Sequence, residues 1–188
     1  MDFENDIKNC IRALENGETI LYPTDTVWGI GCDALNEDAI ERVFALKHRP
    51  KEKSLIVLLA DARDVIQYIA APHPDIIDIV ENFETPTTVI YEGAIGFPEN
   101  LVHENGSVAI RVTDDPFCKA LIKRFRKPLV STSANLSGEP TAAFFSQIAD
   151  EIKQNAGYVV NYRQDDETPK APSQIIKIDD EGNITRLR

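Results

Sequence analysis

Cysteine is scarce: Cys10, Cys32 and Cys118 are odd in number, far apart and in no Cys-x-x-Cys pattern. Neither a disulfide framework nor a cysteine zinc site is expected, and the three read as small buried apolar residues. The three histidines, His48, His73 and His103, have no metal-ligand spacing among themselves, so no metal held by protein side chains is expected. No apolar run approaches the roughly 18 residues that a membrane span needs. The opening Met1-Asp2-Phe3-Glu4-Asn5-Asp6 lacks a basic segment followed by an apolar core, so no secretion signal is read and cytoplasmic residence is the default. Gly-x-x-x-x-Gly-Lys-Ser/Thr, a post-strand Gly-x-Gly-x-x-Gly and a Gly-x-Ser-x-Gly elbow are all missing. A nucleotide, if bound, is bound outside the P-loop and dinucleotide schemes, and covalent serine catalysis is disfavoured. Positive charge is also in short supply, with 20 Lys and Arg against 31 Asp and Glu and a net charge of -11. That balance argues against a broad basic face for duplex nucleic acid, leaving at most a weak tRNA or double-stranded RNA contact through one patch.

Against this background residues 47–54, Lys-His-Arg-Pro-Lys-Glu-Lys-Ser, reverse the local sign. Cations gathered at one helix end of an otherwise acidic protein suit a small polyanion such as a nucleoside triphosphate. The 188 residues fit one compact domain spanning 1–188, with no internal repeat or linker. Ile7, Cys10, Ile11 and Leu14 at helical spacing predict a helix over 4–16, followed by a strand at 19–22 and a loop over 23–31. Asn36 is placed to cap a helix with Ile40, Val43, Phe44 and Ala45 on its apolar face, and Pro50 closes it. Leu55-Ile56-Val57-Leu58-Leu59 reads as a core strand covered on both faces. Helical patterns follow at 62–70 and 74–82, strands at 87–91 and 107–112, and a helix marked by Phe117, Leu121, Ile122 and Phe125. Next come a short strand at 128–130, a polar loop at 131–140, a helix over 144–155 and strands at 157–162, 174–178 and 184–187. The stretch 164–172 has no periodicity and reads as a mobile loop. The order implies an α/β fold whose open sheet mixes parallel and antiparallel pairs.

Four separated segments could carry chemistry, and each has a plainer alternative. Thr24 and Thr26 either bind a ligand or satisfy turn backbone. Lys47 and Arg49 either hold phosphate or oppose the negative end of a helix dipole, whereas Lys51 and Lys53 lie beyond that turn. Arg111, ending an apolar strand, is either one half of a structural ion pair or a fork for a carboxylate or phosphate. The hydroxyl-rich run from Ser131 through Thr132, Ser133 and Asn135 suits hydrogen bonding to a ribose, base or phosphate, or the capping of a following helix.

Together these segments resemble a known family. Tyr22-Pro23-Thr24-Asp25-Thr26-Val27-Trp28-Gly29-Ile30-Gly31-Cys32-Asp33-Ala34, Lys47-His48-Arg49-Pro50, Lys53-Ser54-Leu55-Ile56-Val57-Leu58, Val108-Ala109-Ile110-Arg111-Val112 and Ser133-Ala134-Asn135-Leu136-Ser137-Gly138 occur in the order found in the YrdC-like family of threonylcarbamoyl-AMP synthases. The resemblance covers roughly residues 8–187 and is closest to the short, single-domain form. It implies a twisted open α/β sheet around a concave basic cavity. It also implies a nucleotidyltransferase that makes L-threonylcarbamoyladenylate and pyrophosphate from L-threonine, bicarbonate and ATP with Mg2+, for modification of tRNA at position 37 with a downstream transferase complex. Carried onto this chain, Lys47, Arg49 and Lys53 would stabilise the transition state; Arg49, Lys53, Ser107, Thr132, Ser133, Asn135 and Arg186 would face the nucleotide; Thr24, Thr26, Arg111 and Ser173 would face threonine. Family members commonly end in Arg-Pro-Gly, where this chain has Arg186-Leu187-Arg188. A ribosome-maturation role, also attributed to such domains, and a divergent nucleotide-binding paralogue are the alternative readings.

Overall fold

The computed structural model describes residues 3–50, 55–179 and 182–188, so Lys51, Lys53 and Ser54 of the basic run lie outside the described residues. The chain opens with helix α1, Glu4–Glu15, which buries Ile7, Cys10 and Leu14 along one stripe, the spacing expected of an amphipathic helix. It lies against α4, Pro116–Phe125, through an edge-on contact of Phe3 with Phe117 at 5.5 Å between ring centroids. Helix α2, Glu37–Leu46, begins where the Asn36 side chain accepts a hydrogen bond from Ala39 N at 3.0 Å, as its sequence position predicts. Helix α4 starts the same way, with Asp115 accepting from Cys118 N and Pro116 in the first turn. Two short helices, α3 (Ile76–Glu81) and α5 (Asp150–Asn155), complete the set among the described residues.

The described strands form one sheet: β1 (Ile20–Tyr22), β2 (Gly29–Gly31), β3 (Ile56–Leu59), β4 (Thr87–Tyr91), β5 (Val108–Val112), β6 (Leu129–Ser133), β7 (Tyr158–Val159), β8 (Gln174–Ile178) and β9 (Ile184–Arg186). Their order across it is β7-β1-β2-β6-β3-β5-β4-β8-β9. The pairs β1–β7, β3–β5 and β4–β8 are parallel and the other neighbours antiparallel, which is the mixed open sheet expected. Val57, Leu59, Val108, Ile110 and Val130 share one buried core with the apolar stripes of the helices.

Several boundaries differ from the sequence reading. The expected loop 23–31 contains β2, whose Gly-Ile-Gly offers no alternation to read. The polar run after Val130 remains strand as far as Ser133, because the side chains of Ser131 and Ser133 face a cavity instead of a core. Residues 62–70 form a 3-10 turn, Ala62–Gln67, and the helix expected over 144–155 is a 3-10 turn, Phe145–Gln147, followed by α5, with Ile148 and Ala149 extended between them. Strand β7 stops early because the amides of Asn161 and Tyr162 turn to the Asp6 carboxylate, each at 3.0 Å.

Candidate functional site

Residues directly opposite one another on paired strands point to the same face of a sheet. Ser133 lies opposite Gly29, Ile56 opposite both Ser131 and Ala109, Ile90 opposite Ala109, and Thr88 opposite both Arg111 and Ile175. This one face, spanning five described pairings, forms the floor of a cavity of ≈ 360 Å³, within the range of small-molecule sites, about 300–1,000 Å³. Gly29, Ala109 and Ser131 keep the floor low; a Cβ at Gly29 would sit 3.2 Å from Ser131 Oγ. Arg49, Arg111 and Arg188 contribute guanidinium groups to the wall, and no described lining side chain is a carboxylate. Trp28 forms part of the rim and packs on Phe145 at 4.8 Å.

Arg111 is 4% exposed. It donates from one terminal nitrogen to Thr26 Oγ1 at 3.1 Å, while the other stands 3.3 Å from Asp25 Oδ1. Its Nε is buried without a partner. Of the two readings of a strand-end arginine, the ion pair is the one the structure shows, with Nε left over as an unpaired donor. Thr26 is part of a directed chain. Thr24 Oγ1 donates its only proton to Val27 O at 2.7 Å and accepts from Thr26 N, so in the 3.0 Å contact between the hydroxyls Thr26 is the donor. Thr24 Oγ1 is thereby saturated and supports Thr26, which lines the cavity and is left with acceptor capacity. Asp25 is held in turn by Thr113 Oγ1 at 3.1 Å, and Thr113 accepts from Asp115 N.

At the end of α2, His48 takes φ 49°. His48 N bonds Ala45 O, and Arg49 N bonds Phe44 O at 2.9 Å, the paired bonds of a Schellman terminus. The turn sends three neighbours in three directions. His48 points to Glu151, with 3.1 Å between Nε2 and Oε1. Arg49 joins the cavity wall, where burial lowers its pKa. Lys47 turns inward and is 1% exposed; its ammonium donates to the main-chain carbonyls of Ser133 and, at 2.8 Å, Asn135. Burial, helped by the nearby Arg49 charge, pushes the Lys47 pKa down to about 7.

The other expected residues divide. Thr132, Ser133 and Ser173 line the cavity, and the Ser173 hydroxyl bonds that of Thr88 at 2.9 Å. Lys47 does not line it, for the reason just given. Asn135 spends both amide protons on Leu136 O and Glu139 O, and its Oδ1 is buried without a partner. Ser107 lies at the start of β5, bonded through N and Oγ to Asn105 Oδ1, in an adjoining cleft lined by Glu92, Glu99 and His103. Arg186 pairs with Ile176, on the core side of β8, and so faces away from the cavity. Over the next two residues Leu187 N and Arg188 N both donate to Ile175 O; this bulge turns Arg188 to the cavity face, where it donates to Ser173 O at 2.9 Å. Arg188, Thr88 and Trp28 were not singled out as ligands from the sequence; only the strand register and the bulge bring them in. The 164–172 stretch, expected to be mobile, is tied at Lys170 Nζ to Thr24 O at 3.1 Å, and Arg163 just before it bonds Asp115 Oδ2 at 2.6 Å.

Larger clefts exist, including one of ≈ 530 Å³ bordered by Arg42, His48 and Glu151. None of the described clefts besides the sheet-face cavity gathers hydroxyl and guanidinium groups from so many separated segments, which is why the chemistry is placed there.

Residues 12–188 match the family model Sua5_yciO_yrdC, whose description is telomere recombination. A threonylcarbamoyl-AMP synthase of Pseudoalteromonas translucida (strain TAC 125) is 37% identical over 164 residues, 86% of this chain and 88% of that protein. The crystal structure of P. abyssi Sua5 complexed with L-threonine superposes with a TM-score of 0.85 at 23% identity, over 98% of this chain and 54% of that one. E. coli YciO superposes with a TM-score of 0.83 at 21% identity, covering 98% of this chain and 88% of its own. At these identities the two structures speak to the fold.

Proposed function

The chain belongs to the Sua5/YciO/YrdC family, and from that premise we propose that it is a threonylcarbamoyl-AMP synthase, a nucleotidyltransferase that joins L-threonine, bicarbonate and ATP into L-threonylcarbamoyladenylate with release of pyrophosphate. The observation that carries the reading is the composition of the cavity wall: three guanidinium groups and a row of hydroxyls, with no carboxylate among its described side chains. Such a wall suits two anionic substrates brought together, and a reaction that needs positioning and charge neutralisation more than a nucleophilic side chain.

On this reading bicarbonate yields carbon dioxide and hydroxide, the uncharged threonine amine bonds to the carbon dioxide to give a carbamate, and the proton the amine gives up joins the hydroxide as water. A carbamate oxygen bonds to the α-phosphorus of ATP as the bond to the β-phosphate oxygen breaks, and the electron pair leaves with pyrophosphate. Arg111 grips the threonine carboxylate through its unused Nε edge, and the acceptor lone pair of Thr26 receives the amine or hydroxyl proton of threonine. Ser173 borders the same end of the site. Arg49 and Arg188 neutralise the phosphates, while Thr132 and Ser133 contact the nucleotide; Asn135, bound to Leu136 O and Glu139 O, lies outside the lining. Magnesium would come with the nucleotide as part of the substrate and would help neutralise its phosphates; no lining side chain is a carboxylate, and no group of three potential metal ligands occurs among the described residues. The product is a reactive mixed anhydride, so its consumer is an acyl-transfer complex acting on tRNA, in the cytoplasm.

The test is to incubate the purified protein with Mg-ATP, labelled bicarbonate and L-threonine. Pyrophosphate and the labelled adenylate should appear together and only with threonine. ATP turnover that ignores threonine, or none at all, overturns the proposal.

A further inference from the structure

A lysine ammonium withdrawn from water costs several kcal/mol unless its partners compensate, so its location asks for a reason. Lys47 is 1% exposed, and among the described residues its partners are neutral carbonyls, those of Ser133 and Asn135. A phosphate clamp would present its charge to the cavity; this one is spent on main chain. Its own carbonyl accepts from Ser137 N at 2.8 Å. Three hydrogen bonds therefore tie the last residue of α2's terminus to the end of β6 and the turn beyond it. One side of this joint carries Arg49 two residues on, and the other carries Thr132 and Ser133, all of which line the cavity.

We propose that Lys47 is a positioning residue that pins the α2 terminus to the Ser133–Ser137 turn, fixing the span between Arg49 and the hydroxyl wall, and that it makes no contact with phosphate. The proposal rests on the reading that a nucleotide occupies the cavity. Lysine suits the task where arginine does not: a compact head, with two N–H donors even when neutral, can serve two carbonyls at different angles, whereas the planar guanidinium fork is larger and fixed in shape. Burial and the Arg49 charge both oppose the ammonium, in keeping with a group held for geometry.

The roles separate experimentally. Calorimetry with ATP and with AMP on Lys47→Met should show at least a tenfold loss for both, agreeing within about threefold, because the span is wrong for any nucleotide. A loss confined to ATP would identify a phosphate contact and overturn the proposal, as would no loss. Lys47→Arg should not restore ATP affinity; restoration would again mean charge at phosphate. Ligand-free hydrogen exchange gives an independent arm: the Ser137 amide should lose protection in Lys47→Met, and unchanged protection removes the joint itself. Should Lys47→Met fail to fold, Lys47→Arg carries both measurements. Wild-type protein that binds neither nucleotide would overturn the functional reading above, while the exchange arm would still judge the joint.

Discussion

Replacing Arg111 with methionine keeps most of the aliphatic bulk and removes the charge that Asp25 faces. The separation is 3.3 Å, with side-chain exposures of 5% and 16%, so the gross attraction is about 5 kcal/mol at an effective dielectric near 20. Desolvation returns part of this, and we expect a coupling of about 2 kcal/mol. The single variant should lose more, about 3 kcal/mol, because it leaves a largely buried carboxylate whose Oδ1 has no hydrogen bond. For a chain of this length that is roughly 6–12 °C in Tm. Adding Asp25→Asn should recover about 2 kcal/mol, since the amide tolerates burial and can still accept from Thr113 Oγ1. Threonine binding should stay lost in both, because the Nε edge is gone. Urea melts of the four proteins of the cycle at pH 7 and 0.15 M salt, with threonine calorimetry alongside, measure all of this. A coupling under about 0.5 kcal/mol would refute the ion pair as what holds Arg111. Recovery of threonine affinity in the double variant would refute its place in the site.

Lys47 gives a pH prediction whose sign can be worked out. Its folded pKa, about 7, lies below lysine's ordinary value of 10.5, so between those values the unfolded chain holds a proton that the native state has released. Stability from this group therefore rises as pH increases from about 7 toward 10.5, with a slope on the order of 1 kcal/mol per pH unit. Subtracting the Lys47→Met curve from wild type, by urea melts at stepped pH, should expose that slope; parallel curves would contradict it. Gly31→Ala should cost about 3 kcal/mol or more, because the new Cβ would stand 2.3 Å from Val130 O and 2.8 Å from Tyr22 Cε1. Gly106→Ala meets nothing within 4 Å at φ +77° and should cost only about 1 kcal/mol; equal Tm losses would contradict the packing argument.

Long amphipathic elements were legible because burial imposes a period on them. Helices α1, α2 and α4 and strand β3 fall where their apolar spacing put them. Strand β2 and the second half of β6 were hidden because a strand that walls a cavity shows glycine or hydroxyl residues where a core strand shows valine. The same cause divides the site. Arg49, Arg111, Thr26, Thr132, Ser133 and Ser173 carried their chemistry in residue type and motif, and they meet in one cavity. Arg186 and Arg188 are the same residue on the same short segment, and the choice between them turns on a single bulge that no spacing announces. Lys47 looked like its neighbour Arg49 in sequence; a left-handed residue at His48 sends their heads to different places.

The cavity floor and the core are written alternately on the same strands. Ala109 and Arg111 look into the cavity while Val108 and Ile110 look into the core, and Thr88 and Ile90 alternate likewise with Val89 and Tyr91. Each central strand thus has a reading frame of two, and a single-residue insertion or deletion within it would carry arginine into the core and valine into the binding face at one stroke. Length can drift in the connections between strands, such as the 92–107 stretch. In the strands themselves, binding wall and hydrophobic core have to change together.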